Sequence, residues 1–417
     1  MKQRIPRVAF FPDAFHEVDG VAVVARQLEA FARQQCLPLL TVHAGPSDEV
    51  TREGSVTRVQ LKRGPIKFPL DRAHEFDLLF LRHYRKVETV LREFQPDLVQ
   101  ITGPSDVGIL GALFAHNKSV PLAAFWQTNL PQYAGMRTAK ALSFLPKTWA
   151  GPVSKMAQRG SFSATTRYYK IPSLLFAPNP EIVAELAKTT GKPCLPMAHG
   201  VDTSVFDPKF RDRPAGPFTI GYVGRLTTEK NVRWLARLEK DLRERGHRDF
   251  QILVVGQGAE ESWLRANLQQ AEFPGVLKGA ELSRAYANMD VLAFPSETET
   301  FGLVVLEALA SGVPAVVTSV GGPKYTVQHG KTGYVAENFE EFRDFVAALI
   351  VQPETLASMR MAARRYAQSA SWEQAFQEIY QGYARYLGLP NMTGSEHRFI
   401  GMEEIKNEEE IPIMDLQ

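Results

Sequence analysis

Cysteine is nearly absent: Cys36 and Cys194 are the only two in 417 residues, and they lie far apart. A disulfide framework is thereby excluded as the source of stability, and a reducing cytoplasmic setting fits. No Cys/His cluster has the spacing of a zinc site. Apolar runs are short, and none approaches the ~20 residues of a membrane-spanning helix. The opening residues carry basic side chains and only the brief apolar run Val8–Phe11, which reads as a first strand rather than a secretory core. Also missing are a Walker phosphate loop, a Gly-x-Ser-x-Gly elbow, nucleic-acid-binding motifs and any short-period repeat. What remains is an ordinary globular composition, 44% hydrophobic and 23% charged, long enough for two or three domains with full cores.

The net charge of +2 hides an uneven distribution. Residues 1–196 hold 25 Lys and Arg against 16 Asp and Glu, whereas residues 197–417 hold 23 against 30. Such polarity suggests that the first half meets something anionic, such as a lipid surface. Part of the later deficit belongs to a tail containing Glu403, Glu404, Glu408, Glu409 and Glu410.

Short apolar strands alternate with amphipathic helices, the pattern of parallel α/β sheets. Strands are expected at 8–11, 39–42, 56–61, 98–102, 122–126 and 174–177, with helices at 76–94 and 107–116 and a loop at 62–71. Pro214, Gly216 and Pro217 mark a linker at 209–217, after which a second series begins at 219–223, 251–255, 291–294 and 315–318. Phe376, Ile379, Tyr383 and Leu387 give a closing amphipathic helix at 372–387. The expected organisation is a first domain at 1–200, a linker at 201–217 and a second domain at 218–370. A helix at 371–390 crosses back, and an acidic flexible tail fills 391–417. The fold class is α/β, with two doubly wound sheets facing across a cleft that holds the site.

Chemistry concentrates in the second half. Residues 294–307 read Phe-Pro-Ser-Glu-Thr-Glu-Thr-Phe-Gly-Leu-Val-Val-Leu-Glu, placing Glu299 and Glu307 on either side of a turn into a helix. Thr298, Thr300 and Gly302 are expected to supply capping oxygens and backbone freedom. Amides at such a helix start suit an anion, and the two carboxylates suit hydroxyl donors. Upstream, Gly224 ends a strand, and Arg225 and Lys230 project from the following loop, where two cations suit a phosphate. Gly256 and Gly258 follow the next strand without the third glycine of a dinucleotide fingerprint.

This block, with its flanking Phe-Pro-Ser and Ala-Ser-Gly-Val-Pro, resembles the signature of family 4 glycosyltransferases, retaining enzymes of the GT-B fold that use nucleotide-sugars. The likeness runs from Val8 to about Leu387. It implies hexose transfer from a nucleotide diphospho-sugar to a sugar or lipid-linked acceptor, with no cofactor, no bound metal and no nucleic-acid partner. No Asp-x-Asp pair occurs. Catalytic roles fall to Arg225, Lys230 and Glu299, with the leaving phosphate taking the acceptor proton. Donor contacts fall to Gly20, Gly224, Gly256, Gly258, Thr300, Phe301, Gly302, Leu303 and Glu307, and the base lies near the strand-like stretch 276–279. The loop of Gly321, Gly322 and Pro323 also lines the donor pocket.

Gln127, Thr128 and Tyr133 resemble a His-Thr-x-x-Pro-x-Tyr block on the acceptor side, with glutamine in place of histidine. Gln127 can position a hydroxyl but cannot change protonation. Asp19 replaces a commoner asparagine before Gly20, and His199 belongs to a structural Gly-Val-Asp turn. The implied location is cytoplasmic, with weak association to an anionic inner membrane face. Two other readings stay open: a nucleotide-sugar epimerase of the same fold, and a non-catalytic glycan-binding scaffold.

Overall fold

The computed structural model of the chain describes residues 4–17, 19–69, 75–127, 165–213 and 216–390. Two sheets carry the fold. The first contains β1 (Val8–Phe11), β2 (Leu39–Gly45), β3 (Glu49–Glu53) and β4 (Val56–Lys62), while β5 (Lys67–Pro69) and β6 (Glu75–Asp77) form a separate antiparallel hairpin. It continues through β7 (Leu98–Ile101), β8 (Leu122–Phe125), β9 (Leu174–Ala177) and β10 (Cys194–Pro196) in the order β10-β9-β8-β7-β1-β2-β4-β3. All its pairings are parallel except β3 with β4. Four-residue runs such as Val8–Phe11 and Leu122–Phe125 are buried throughout, as strands covered on both faces must be.

The second sheet holds β11 (Phe218–Val223), β12 (Phe250–Val255), β13 (Ala271–Gly275), β14 (Val291–Phe294), β15 (Ala315–Thr318) and β16 (Gly333–Ala336). Its order is β13-β12-β11-β14-β15-β16, all parallel. In each sheet the strand order reverses direction beside the first strand, at β1/β7 and at β11/β14. Loops leaving the carboxyl ends of strands diverge there and open a crevice.

Helices cover both faces of the sheets. In chain order they are α1 (Gly20–Gln34), α2 (Tyr84–Phe94), α3 (Asp106–Lys118), α4 (Pro180–Thr190), α5 (Trp234–Glu244), α6 (Glu261–Asn267) and α7 (Gly279–Ala287). They continue with α8 (Leu303–Ala310), α9 (Phe339–Val351), α10 (Pro353–Ser369) and α11 (Trp372–Tyr386). Although α11 follows the second sheet in sequence, it packs on the first. Phe376, Ile379, Tyr380 and Tyr383 join the core of Val8, Phe10, Leu28 and Phe31, and the Tyr383 hydroxyl donates to Gln100 Oε1 at 3.0 Å. At ~2 kcal/mol per large buried side chain, these four residues tie the two lobes together firmly.

Three expected elements differ. The 76–94 helix begins only at Tyr84, because Asp77 lies in β6 and accepts the Leu79 amide at 2.9 Å, turning the chain into a short 3-10 segment, Phe80–His83. The loop expected at 62–71 contains β5. The strand expected at 276–279 lies earlier, at Ala271–Gly275; it is an edge strand with alternating exposure, which tolerates Pro274 and hides its apolar signal.

Candidate active site

Three loops meet at the switch point of the second sheet. After β11, Gly224 donates its amide to the Val255 carbonyl at 3.0 Å, and the Tyr222 hydroxyl donates to the Arg225 carbonyl at 2.9 Å. Gly256, at φ +135°, brings the next loop against the first; a β-carbon there would overlap the Gly224 carbonyl oxygen. Gly258 packs in the same way on Leu226. The Arg225 side chain is left exposed, while Lys230, on a 3-10 turn, is buried to 4% exposure. Asn231 then donates to the Pro295 carbonyl at 3.1 Å, anchoring this loop to the one after β14.

That second loop presents Glu299 to Lys230. The Lys230 ammonium donates to Glu299 Oε1 at 2.6 Å and to Thr298 Oγ1 at 3.2 Å. A buried ammonium needs such a partner, since an uncompensated charge there costs several kcal/mol. The loop after β15 fixes Glu299 from the other side, with the Gly322 amide donating to the Glu299 carbonyl at 2.8 Å.

The threonines are not helix caps, contrary to expectation. Gly302, at φ +92°, occupies the cap position of α8 and offers no side-chain oxygen. Thr300 Oγ1 instead donates to the Gln127 carbonyl at 2.8 Å, and the Thr300 carbonyl accepts from Asn179 Nδ2 at 2.8 Å. Both contacts join the signature loop to the first domain. The start of α8 therefore carries amides without a side-chain cap, as an anion requires.

The first domain closes over this loop. Asp19 caps α1 by accepting the Ala22 amide at 2.8 Å. Gly20 faces Leu303, whose Cδ1 would lie 3.5 Å from a β-carbon at Gly20. His199 stacks on Phe301 with ring centroids 4.2 Å apart, and burial pulls its pKa down to about 4, so it is a neutral packing surface. The Gln127 carboxamide is buried, and neither its oxygen nor its nitrogen has a hydrogen-bond partner among the described residues. Thr128 and Tyr133 lie outside the described residues.

Glu307 lies within α8. It lines a small cleft of about 110 Å³ with Val23, Gln27, Asp202, Leu303 and Trp372. The Tyr286 hydroxyl donates to its Oε2 at 2.7 Å, and burial pushes its pKa up to about 7. Because the folded-state pKa lies above the unfolded value of 4.5, the folded chain holds this proton more tightly. Stability from this group is full below pH 4.5 and falls as pH rises through about 7. Part of the side chain meets solvent, so the loss is below the ~3 kcal/mol of the full shift. Denaturant titrations across this window are expected to show that fall, and Glu307→Gln should flatten it.

The sequence placed Arg225, Lys230, Glu299 and Glu307 in one neighbourhood, and the structure brings Lys230 and Glu299 into contact. The Glu307 carboxylate accepts instead from the Tyr286 hydroxyl. Asn179 and Tyr286 were missed, since neither belongs to a recognisable pattern. Among the described residues, no group of three or more His, Cys, Asp and Glu is arranged to hold a metal ion.

Comparison with known proteins adds to this geometry. Residues 217–352 match the family described as "Glycosyl transferases group 1". A GDP-mannose-dependent alpha-mannosyltransferase of Mycolicibacterium smegmatis is 32% identical over 320 residues, covering 73% of this chain and 78% of that one. Its counterpart from Mycobacterium tuberculosis is 29% identical over 395 residues, covering 92% and 97%. In fold, the chain is similar to sucrose-phosphate synthase from Thermosynechococcus elongatus, with a TM-score of 0.70 at 18% identity over 92% of this chain and all of that one.

Proposed function

The chain belongs to the group 1 glycosyltransferases, family 4 enzymes of the GT-B fold, and from that premise we propose that it transfers mannose from GDP-mannose, with retention, to a sugar or lipid-linked acceptor. The observation that carries this reading is the Lys230–Glu299 pair beside the α8 start, which has no side-chain cap. In this reading the donor diphosphate lies among Arg225, Lys230 and the first amides of α8. As the glycosidic bond breaks, these groups stabilise the charge gathering on the leaving phosphate. A phosphate oxygen then takes the acceptor's proton.

Glu299 holds hydroxyls of the sugar, and Glu307 holds those of the ribose. The Gln127 carboxamide, lacking partners among the described residues, positions the sugar without exchanging protons. The choice of GDP-mannose over other donors is supported by the two mannosyltransferase relatives. Family membership favours transfer over the epimerase and scaffold readings.

Thermal-shift screening against nucleotide-sugars tests the donor: GDP-mannose should raise the melting temperature more than UDP-glucose does. The protein's own cations neutralise the diphosphate, so transfer is expected to persist in EDTA with an α-linked product by NMR. Loss of activity on chelation, restored by Mg²⁺ or Mn²⁺, would overturn the metal-independent mechanism.

A lipid-linked acceptor also calls for weak contact with an anionic membrane. Among the described residues, no helix is long and apolar enough to cross a membrane.

A further inference from the structure

The first turn of α4 reaches out of its own domain. β9 ends at Ala177, and the chain runs on as Pro178, Asn179, Pro180 and Glu181. Pro180 takes the first helical position, where a missing amide costs nothing, and it holds the residue before it extended. Asn179 accordingly sits at φ −149° and ψ 159°, and its Oδ1 accepts the Ile182 amide at 3.0 Å as a helix cap. A serine or an aspartate would cap equally well. What neither would bring is the carboxamide nitrogen. Here that nitrogen crosses to the second domain and donates to the Thr300 carbonyl at 2.8 Å, in a residue only 5% exposed.

Two residues on, Glu181 makes a second crossing. Its Oε1 accepts from Lys324 Nζ at 2.6 Å, and the Tyr325 hydroxyl bonds the same carboxylate. Lys324 and Tyr325 belong to the 3-10 turn Gly322–Tyr325 after β15, whose Gly322 amide holds the Glu299 carbonyl. That turn lies directly on the signature loop. A β-carbon at Gly322 would overlap the Thr300 carbonyl oxygen, and one at Gly302 would come 3.0 Å from the Pro323 side chain. One turn of α4 thus grips both loops that carry Glu299 and the start of α8. The Thr300 hydroxyl, donating to the Gln127 carbonyl, supplies a third bond to the first domain. Thr300 lies between Glu299 and the first amides of α8, so bonds at its carbonyl and hydroxyl fix the backbone joining them.

We propose that Asn179 is a positioning residue for glycosyl transfer, whose carboxamide nitrogen sets the Glu299–α8 loop against the first domain, with Glu181 and Lys324 as the charged half of the same latch. This inference rests on the transfer reaction proposed above. Arg225, Lys230 and the α8 amides all belong to the second domain, so the nucleotide can bind there without the latch. Turnover instead needs the sugar held between Glu299 and the first domain's Gln127, and an ångström of misplacement there can cost ~100-fold. Loss of the latch is therefore expected in kcat rather than in nucleotide affinity.

The test pairs calorimetric titration of GDP with the rate of GDP release from GDP-mannose, water serving as acceptor, and with amide exchange across residues 297–303 of the full chain. Asn179→Ser and Asn179→Asp both keep a capping oxygen, and both remove the nitrogen. Each should lower kcat by ~10-fold, leave GDP affinity within about 3-fold and speed exchange in the 297–303 loop. Glu181→Lys should lower kcat in the same way, and adding Lys324→Glu should restore most of it, a recovery that a helix cap alone cannot give. Native kcat and native exchange in both Asn179 variants would overturn the proposal and leave Asn179 a cap only. A matched fall in GDP affinity and kcat would overturn it too, since the residue would then act on the donor site's own folding. The reversed charge pair staying as slow as Glu181→Lys would likewise contradict the latch. A native chain that neither binds GDP nor releases it would count against the donor assignment. Amide exchange would still decide the latch in that case, faster in the Asn179 variants if it holds and unchanged if it does not.

Discussion

Lys230→Ala should lower kcat by ~100-fold or more, with a smaller change in donor KM, because its charge acts on the phosphate as the bond breaks. Its ammonium lies 2.6 Å from Glu299 and is almost fully buried, so no mobile surface cation can replace it. Arg225→Ala is the cleaner companion variant. Arg225 is exposed, and the Tyr222 hydroxyl holds its loop through the Arg225 carbonyl. Truncation there should leave folding intact while lowering turnover to a similar degree. Steady-state kinetics with release of GDP as readout, alongside circular dichroism, separates the two effects. Near-normal turnover in both variants would show that the leaving phosphate lies elsewhere.

Gly256→Ala should cost stability on the order of 3 kcal/mol through strain and backbone overlap. The residue holds φ at +135°, and a β-carbon would collide with the Gly224 carbonyl oxygen, a backbone atom that cannot rotate away. Relief requires the loops after β11 and β12 to separate, which moves Arg225 and Lys230 together. Urea denaturation should therefore show a lower midpoint, and activity should fall even where the variant remains folded. A shift of under ~1 kcal/mol would mean that these loops are not packed as described.

The sequence made the covered strands plain and the edge strands obscure, for a physical reason. Val8–Phe11 and Val291–Phe294 are apolar on both faces, whereas β3 is mostly exposed and β13 alternates around Pro274. An edge strand buries little of either face, so its residues carry no continuous apolar run. The hairpin of β5 and β6 was hidden likewise, as it depends on Asp77 and Asp106 gathering amides across 29 residues.

Within the candidate site, Glu299 and Lys230 were legible from residue type and spacing. The Thr300 contacts were not, since its hydroxyl donates to a carbonyl 173 residues away and its carbonyl accepts from the Asn179 side chain 121 residues away. Threonines before an apolar run look like caps, and only the interdomain contact reveals their other use.

The most direct test of the central claim, that the loops after β11 and β14 hold a nucleotide diphosphate with protein cations, is calorimetric titration of GDP in EDTA. The native chain should bind, and Lys230→Ala should bind at least ~10-fold more weakly, a difference of about 1.4 kcal/mol. Equal affinity in the two proteins, or binding by the native chain only when divalent metal is restored, would contradict the account.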